Sequence, residues 1–69
     1  MIYKLNGHEY IELNKFMKLH KWVGSGGEAN IRIENGEVSV NGQTETQKRK
    51  KLRAGHTVNF LSHQVSVEY

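Results

Sequence analysis

Seven glycines and no proline divide this chain of 69 residues into short pieces. Gly7, the Gly24/Gly26/Gly27 group, Gly36, Gly42 and Gly55 are the cuts. The chain is one small domain, residues 1–69, built from short elements. It has no cysteine, which removes disulfides, thiolate zinc sites and cysteine nucleophiles together. Packing alone must hold such a domain, with a margin of a few kcal/mol at best. Apolar residues make up 36%, enough for one modest core but not for a core and a deep substrate pocket. No apolar run is long enough to cross a membrane or to serve as an export signal. A cytoplasmic protein without a small-molecule substrate is the expectation.

The periodicity of the apolar residues changes along the chain. Ile2 to Leu5 reads as a strand closed by the Asn6-Gly7 turn. Leu13, Phe16, Met17 and His20 then fall at i, i+3, i+4 and i+7, one face of an amphipathic helix. Lys15, Lys18 and Lys21 lie off the centre of that face. The next segment carries two patterns. Ala29, Ile31 and Ile33 alternate as in a strand, but Ser25 and Glu28 form a capping box and Gly36 suits a helix stop. The caps predict a helix from Gly26 to Asn35, joined to the first helix through Lys21–Gly24. Beyond Gly36 the chain reads as β. Val38 and Val40 lead to an Asn41-Gly42 hairpin turn, and Gln43–Thr46 returns. Val58/Phe60 and Val65/Val67 mark two more strands, after turns at Ala54-Gly55-His56 and Ser62-His63. The expected order is β-α-α-β-β-β-β, an α+β fold with two short helices on one side of a small antiparallel sheet.

The net charge of +3 conceals a strong asymmetry. Residues 1–47 carry five Lys or Arg against six Glu, and residues 54–69 carry one Glu and no Lys or Arg. The excess is therefore concentrated in Lys48, Arg49, Lys50, Lys51 and Arg53, interrupted only by Leu52. Like charges this close repel one another and cost stability unless a partner neutralises them. Lys and Arg laid along a phosphate backbone release condensed counterions, and arginine forks hold phosphate oxygens in pairs. A core-facing Leu52 would pin the neighbouring cations to the surface.

A second candidate is the helix start at Ser25, Gly26 and Gly27, where free N–H groups and the helix dipole favour an anion. A tight turn between packed helices explains the same three residues. Asn30 lies one turn on and offers a donor to phosphate or a 2′-hydroxyl. Trp22, the only tryptophan, is expected in the core, and Tyr3, Tyr10 and Tyr69 as sheet cover. Nothing pairs aromatics as in a single-strand platform, so shape is the expected basis of recognition. Enzyme chemistry finds no support. His8, His20, His56 and His63 form no i, i+4 pair, and aspartate is absent. No nucleophile elbow or phosphate-binding loop occurs.

Leu13, Ser25-x-x-x-Ala29, Ile33, Gly36-x-Val38-x-Val40-Asn41-Gly42 and Gly55 with Val58 together resemble the "S-four" RNA-binding domain, the αL-motif module. Ser25-Gly26-Gly27 and the basic run before Lys51-Leu52 resemble its free-standing bacterial branch, the YbcJ-like proteins. The resemblance implies an αL-type fold and a non-catalytic, monomeric protein without cofactor that binds structured RNA, with ribosomal RNA and ribosome assembly or translation as its setting. It departs at Glu12, Gly26 and Asn30, where relatives carry phosphate-binding arginines. The implied footprint is therefore Lys48, Arg49, Lys50, Lys51 and Arg53, with Ser25, Gly26, Gly27, Asn30, Lys18 and Lys21. The alternative is a protein-interaction adaptor whose basic loop meets an acidic protein surface.

Overall fold

The computed structural model describes residues 1–69. In chain order the elements are β1 (Ile2–Lys4), β2 (Ile11–Glu12), α1 (Leu13–Leu19), α2 (Gly26–Glu34), β3 (Val38–Val40), β4 (Gln43–Thr44), β5 (Lys51–Leu52), β6 (Thr57–Phe60) and β7 (His63–Glu68).

The two readings of residues 25–36 are resolved in favour of the helix. Ser25 Oγ accepts the Glu28 N–H at 3.1 Å. The Glu28 carboxylate reaches back to the Gly24 N–H at 2.8 Å, one residue before its usual target in a capping box. At the other end Gly36 takes φ +78°. Its N–H bonds the Ile33 carbonyl while the Glu37 N–H bonds that of Arg32, a complete Schellman stop. Ala29 and Ile33 are buried one turn apart, whereas Ile31 is 59% exposed. The strand-like alternation was thus a by-product of one apolar residue left outside.

Helix α1 begins differently. Glu12 occupies its N-cap position without a side-chain cap bond. Its first N–H groups are satisfied by the basic segment instead, Leu13 N–H bonding Lys50 O at 2.9 Å and Asn14 N–H bonding Lys48 O at 3.1 Å.

Five strands form one sheet in the order β1-β7-β6-β3-β4. Val40↔Val58 and Val58↔Val65 register, with Val38↔Phe60, sets Val38, Val40, Val58, Phe60, Val65 and Val67 on the buried face. Ser39, Thr57, Asn59 and Ser66 alternate with them. Leu13, Phe16 and Met17 of α1, Ala29 and Ile33 of α2, and Leu5, Val23 and Leu52 from outside the helices and the main sheet complete a single core with these residues. The two helices on a sheet agree with the expected α+β arrangement, but the sheet is mixed rather than antiparallel. β1 runs parallel to β7, a pairing that needs a long crossover, here supplied by most of the chain. A second, two-stranded sheet of β2 and β5 is an addition. The β6–β7 turn falls at Leu61-Ser62, so His63 opens a strand.

Ser25→Ala removes the only side-chain cap of α2. It is expected to lower unfolding free energy by about 1 kcal/mol in urea titration, with the fold retained.

Candidate nucleic-acid interface

The basic segment is held at several points. Leu52 is fully buried and Ile11↔Leu52 and Glu12↔Lys51 register binds β5 to β2. The period-two geometry of β5 and its flank turns Lys51 and Arg53 outward on either side of Leu52. Upstream, the Gln47 N–H is taken by the Glu45 carboxylate at 3.0 Å, and the Lys50 N–H by Gln47 O. With the two carbonyls that cap α1, the loop is an ordered surface.

Three of its cations meet carboxylates. Lys48 Nζ lies 3.2 Å from Glu34, Arg49 Nε 3.3 Å from Glu12, and Arg53 Nη1 3.6 Å from Glu9. Lys51 and Arg53 also lie 5.1 and 5.5 Å from the centre of the Tyr10 ring. The pairs of Lys48 and Arg53 are exposed on both sides and worth at most about 1 kcal/mol each, so they orient these side chains without sequestering them. Glu12 is the least exposed of these acids, at 17%. Its Oε1 has no hydrogen bond and faces Lys15 Nζ at 3.6 Å.

Gln47, Arg49, Lys50, Lys51, Arg53 and His56 line a concavity of about 470 Å³. Four of these six are cations, and neither a carboxylate nor an apolar side chain contributes. His56 Nδ1 accepts the Arg53 N–H at 2.9 Å, which assigns a neutral ring protonated at Nε2. Its pKa lies below the ordinary imidazole value, first through burial and then through the charges of Lys50 and Arg53.

The helix hairpin meets this loop along one flank. Asn14 Nδ2 donates to Asn30 Oδ1 at 3.2 Å across the two helices. Gly27, Asn30 and Glu34 follow at i, i+3 and i+7 on one side of α2, and Lys48 is paired to that side through Glu34. The structure thus joins Asn30 to the basic segment. Gly26 lies eight residues before Glu34, about 12 Å along the axis. A Cβ at Gly26 would meet nothing within 4 Å, so this helix start is open. Ser25 Oγ is committed to its cap. Lys18 is exposed one turn beyond Asn14, and Lys21 is exposed in the connection with φ +58°.

Gln47, His56, Tyr10 and the three pairing glutamates escape sequence reading. Glu9, Tyr10 and Glu12 meet the loop through β2–β5 pairing, for which two-residue strands carry no periodic signal. Gln47 and His56 join it through turn hydrogen bonds to Lys50 and Arg53. Glu34 meets it from α2, and Glu37 holds Arg32 at 3.0 Å. Trp22 is half-buried against the core, its ring stacked on those of Phe60 at 5.8 Å and His63 at 5.3 Å. Tyr3 packs edge-on against Phe16, whereas Tyr69 is 73% exposed and covers nothing.

The S4 domain model matches residues 3–68, nearly the whole chain. The chain belongs to the S4 domain family. Among S4 relatives it is 45% identical over 65 residues to "Putative RNA-binding protein YbcJ" of Escherichia coli (strain K12), covering 94% of this chain and 93% of that protein. "Uncharacterized protein YbcJ" of Shigella flexneri matches to the same extent. The solution structure of YbcJ from E. coli, described as revealing an αL motif involved in RNA binding, superposes with a TM-score of 0.74 at 43% identity. That match covers 99% of this chain and 86% of the other. The α+β fold of this S4 domain is therefore the αL-motif fold.

His56 gives the stability of this S4 domain a pH dependence of defined sign. Below the ordinary value of 6.5 the unfolded chain takes up a proton that the folded chain resists. Stability from this residue is complete above that value and falls as pH drops toward the folded-state pKa. Thermal midpoints taken near neutrality and about two pH units lower should differ less in His56→Asn than in the wild type.

Proposed function

We propose that the chain is a non-catalytic RNA-binding module that grips structured RNA through its phosphates. The observation that carries this reading is the concavity with four cationic walls and no acidic one. Lys48, Arg49, Lys50, Lys51 and Arg53 supply the charge, presented by a segment whose backbone is already ordered. Such pre-organisation spares RNA the entropy of fixing a loop. Asn30 extends the footprint onto α2, and Ser25, Gly26 and Gly27 offer backbone N–H groups further along the same helix. Lys18 and Lys21 add charge at the opposite end of the hairpin from the loop's caps. The E. coli relative is named "Putative RNA-binding protein YbcJ" and its solved structure is described as showing an αL motif involved in RNA binding, which supports the same partner. Ribosomal RNA is the proposed class, bound by a monomer in the cytoplasm during ribosome assembly or translation, as S4 membership suggests. An adaptor for acidic proteins would gather apolar surface around the basic loop. Of the exposed large apolar side chains only Tyr10 meets the basic loop, under Lys51 and Arg53. None of them, Ile2, Leu19, Ile31 and Leu61 included, lines the groove.

Electrostatic gripping has a direct signature. The logarithm of the association constant for a structured RNA should fall linearly with that of salt, with a slope of roughly −3 to −5 for four to six phosphate contacts. Changing Arg49 and Lys50 together to Ala should flatten the slope by about two units and weaken all RNAs alike, while the domain melts normally. A salt-independent affinity would sink the reading.

Gly26→Arg tests the helix start separately. The position is open, so stability should change by no more than about 0.5 kcal/mol. If phosphate reaches this end of α2, affinity rises and the salt slope steepens by roughly 0.7 to 0.9. An unchanged slope in RNA titrations at two salt concentrations would confine the interface to the loop and Asn30.

A further inference from the structure

We propose that His56 is a fixed, uncharged hydrogen-bond donor to an RNA phosphodiester seated in the cationic groove. This deepens the RNA-binding reading and rests on it. The ring lines the groove beside Arg49, Lys50, Lys51 and Arg53. Its Nδ1 is committed to the Arg53 N–H, which leaves Nε2–H as the one donor of the imidazole. Protonation at Nδ1 would forfeit that bond and place a third charge beside Lys50 and Arg53. The ring is therefore held neutral while remaining a donor.

A neutral donor among cations does a different job from theirs. Lysines and arginines attract phosphate at long range and are screened by salt. An imidazole N–H acts only at contact and along one direction, so it fixes where the phosphodiester sits. The Arg53–His56 bond ties that direction to the turn preceding β6, and the Val67 N–H bond to His56 O at 2.7 Å ties the turn to β7. Phosphate position in the groove is thus referenced to the main sheet.

Two substitutions separate the two ring nitrogens. His56→Asn keeps an acceptor near the place of Nδ1 and lacks the reach of Nε2. His56→Gln extends an amide donor toward the place of Nε2 and gives up the turn acceptor. With a fluorescent RNA hairpin as probe, His56→Asn should bind about tenfold more weakly, the scale of one lost hydrogen bond to a charged acceptor. Its salt slope should match the wild type, because no cation is lost. His56→Gln should melt at a lower temperature yet retain most of the affinity. A DNA hairpin of the same sequence should show the same relative loss in His56→Asn, since the acceptor is a phosphate. Wild-type affinity in His56→Asn would overturn this proposal and leave RNA binding intact. A flattened slope would identify a charged histidine, and a loss confined to RNA would identify a 2′-hydroxyl; either overturns it. Failure of the wild type to bind any RNA hairpin would overturn both readings.

Discussion

The interface depends on one buried leucine. Leu52 stands inside the most highly charged six residues of the chain and is completely enclosed, opposite Ile11 in the small sheet. Burying such a side chain contributes roughly 1.5–3 kcal/mol, enough to set against the repulsion among its neighbours. Because side chains alternate along a strand, enclosing Leu52 obliges Lys51 and Arg53 to face water. The same anchorage brings the carbonyls of Lys48 and Lys50 to the first turn of α1, where they replace a side-chain cap. Charge display and helix initiation thus share one set of contacts.

The carboxylates around the loop have a complementary role. Glu9, Glu12 and Glu34 each hold one loop cation, so part of the self-repulsion is relieved before any ligand arrives. RNA phosphates must exchange with these partners as well as with mobile counterions, which favours an RNA that satisfies several cations at once. Glu12 is instructive, because the S-four resemblance places an arginine there. The acid gathers Arg49 from the loop and Lys15 from α1. Positive charge thus returns to the start of α1 on Arg49 from the loop and on Lys15 from the helix's own first turn.

Local signals in the sequence were sufficient for most of the fold. The Asn6-Gly7 and Asn41-Gly42 turns, the Ser25 cap and the Gly36 stop are decided by residues adjacent to them, and all four occur as read. The valine alternation in β3, β6 and β7 is equally self-contained. What the sequence concealed is non-local. The parallel partner of β1, the existence of β2 and β5, and the acids paired with the loop each depend on residues far apart in the chain. The candidate cations were legible as a charge run, but their concave arrangement was not. His56 reads as a turn residue until the fold sets it beside Arg49 and Lys50.

The parallel pairing of β1 with β7 also governs the order in which the structure closes. Ile2 lies against Ser66, so this contact bridges almost the entire chain. Its loop-closure entropy is the largest in the domain, and it is offset only once the core that receives Leu5 and Tyr3 exists. β1 is therefore expected to dock after the helix hairpin and the β3, β6 and β7 strands have come together, and to detach before they open. Amide exchange would then rank β1 among the least protected strands, with the helices and the groove persisting beneath that early opening.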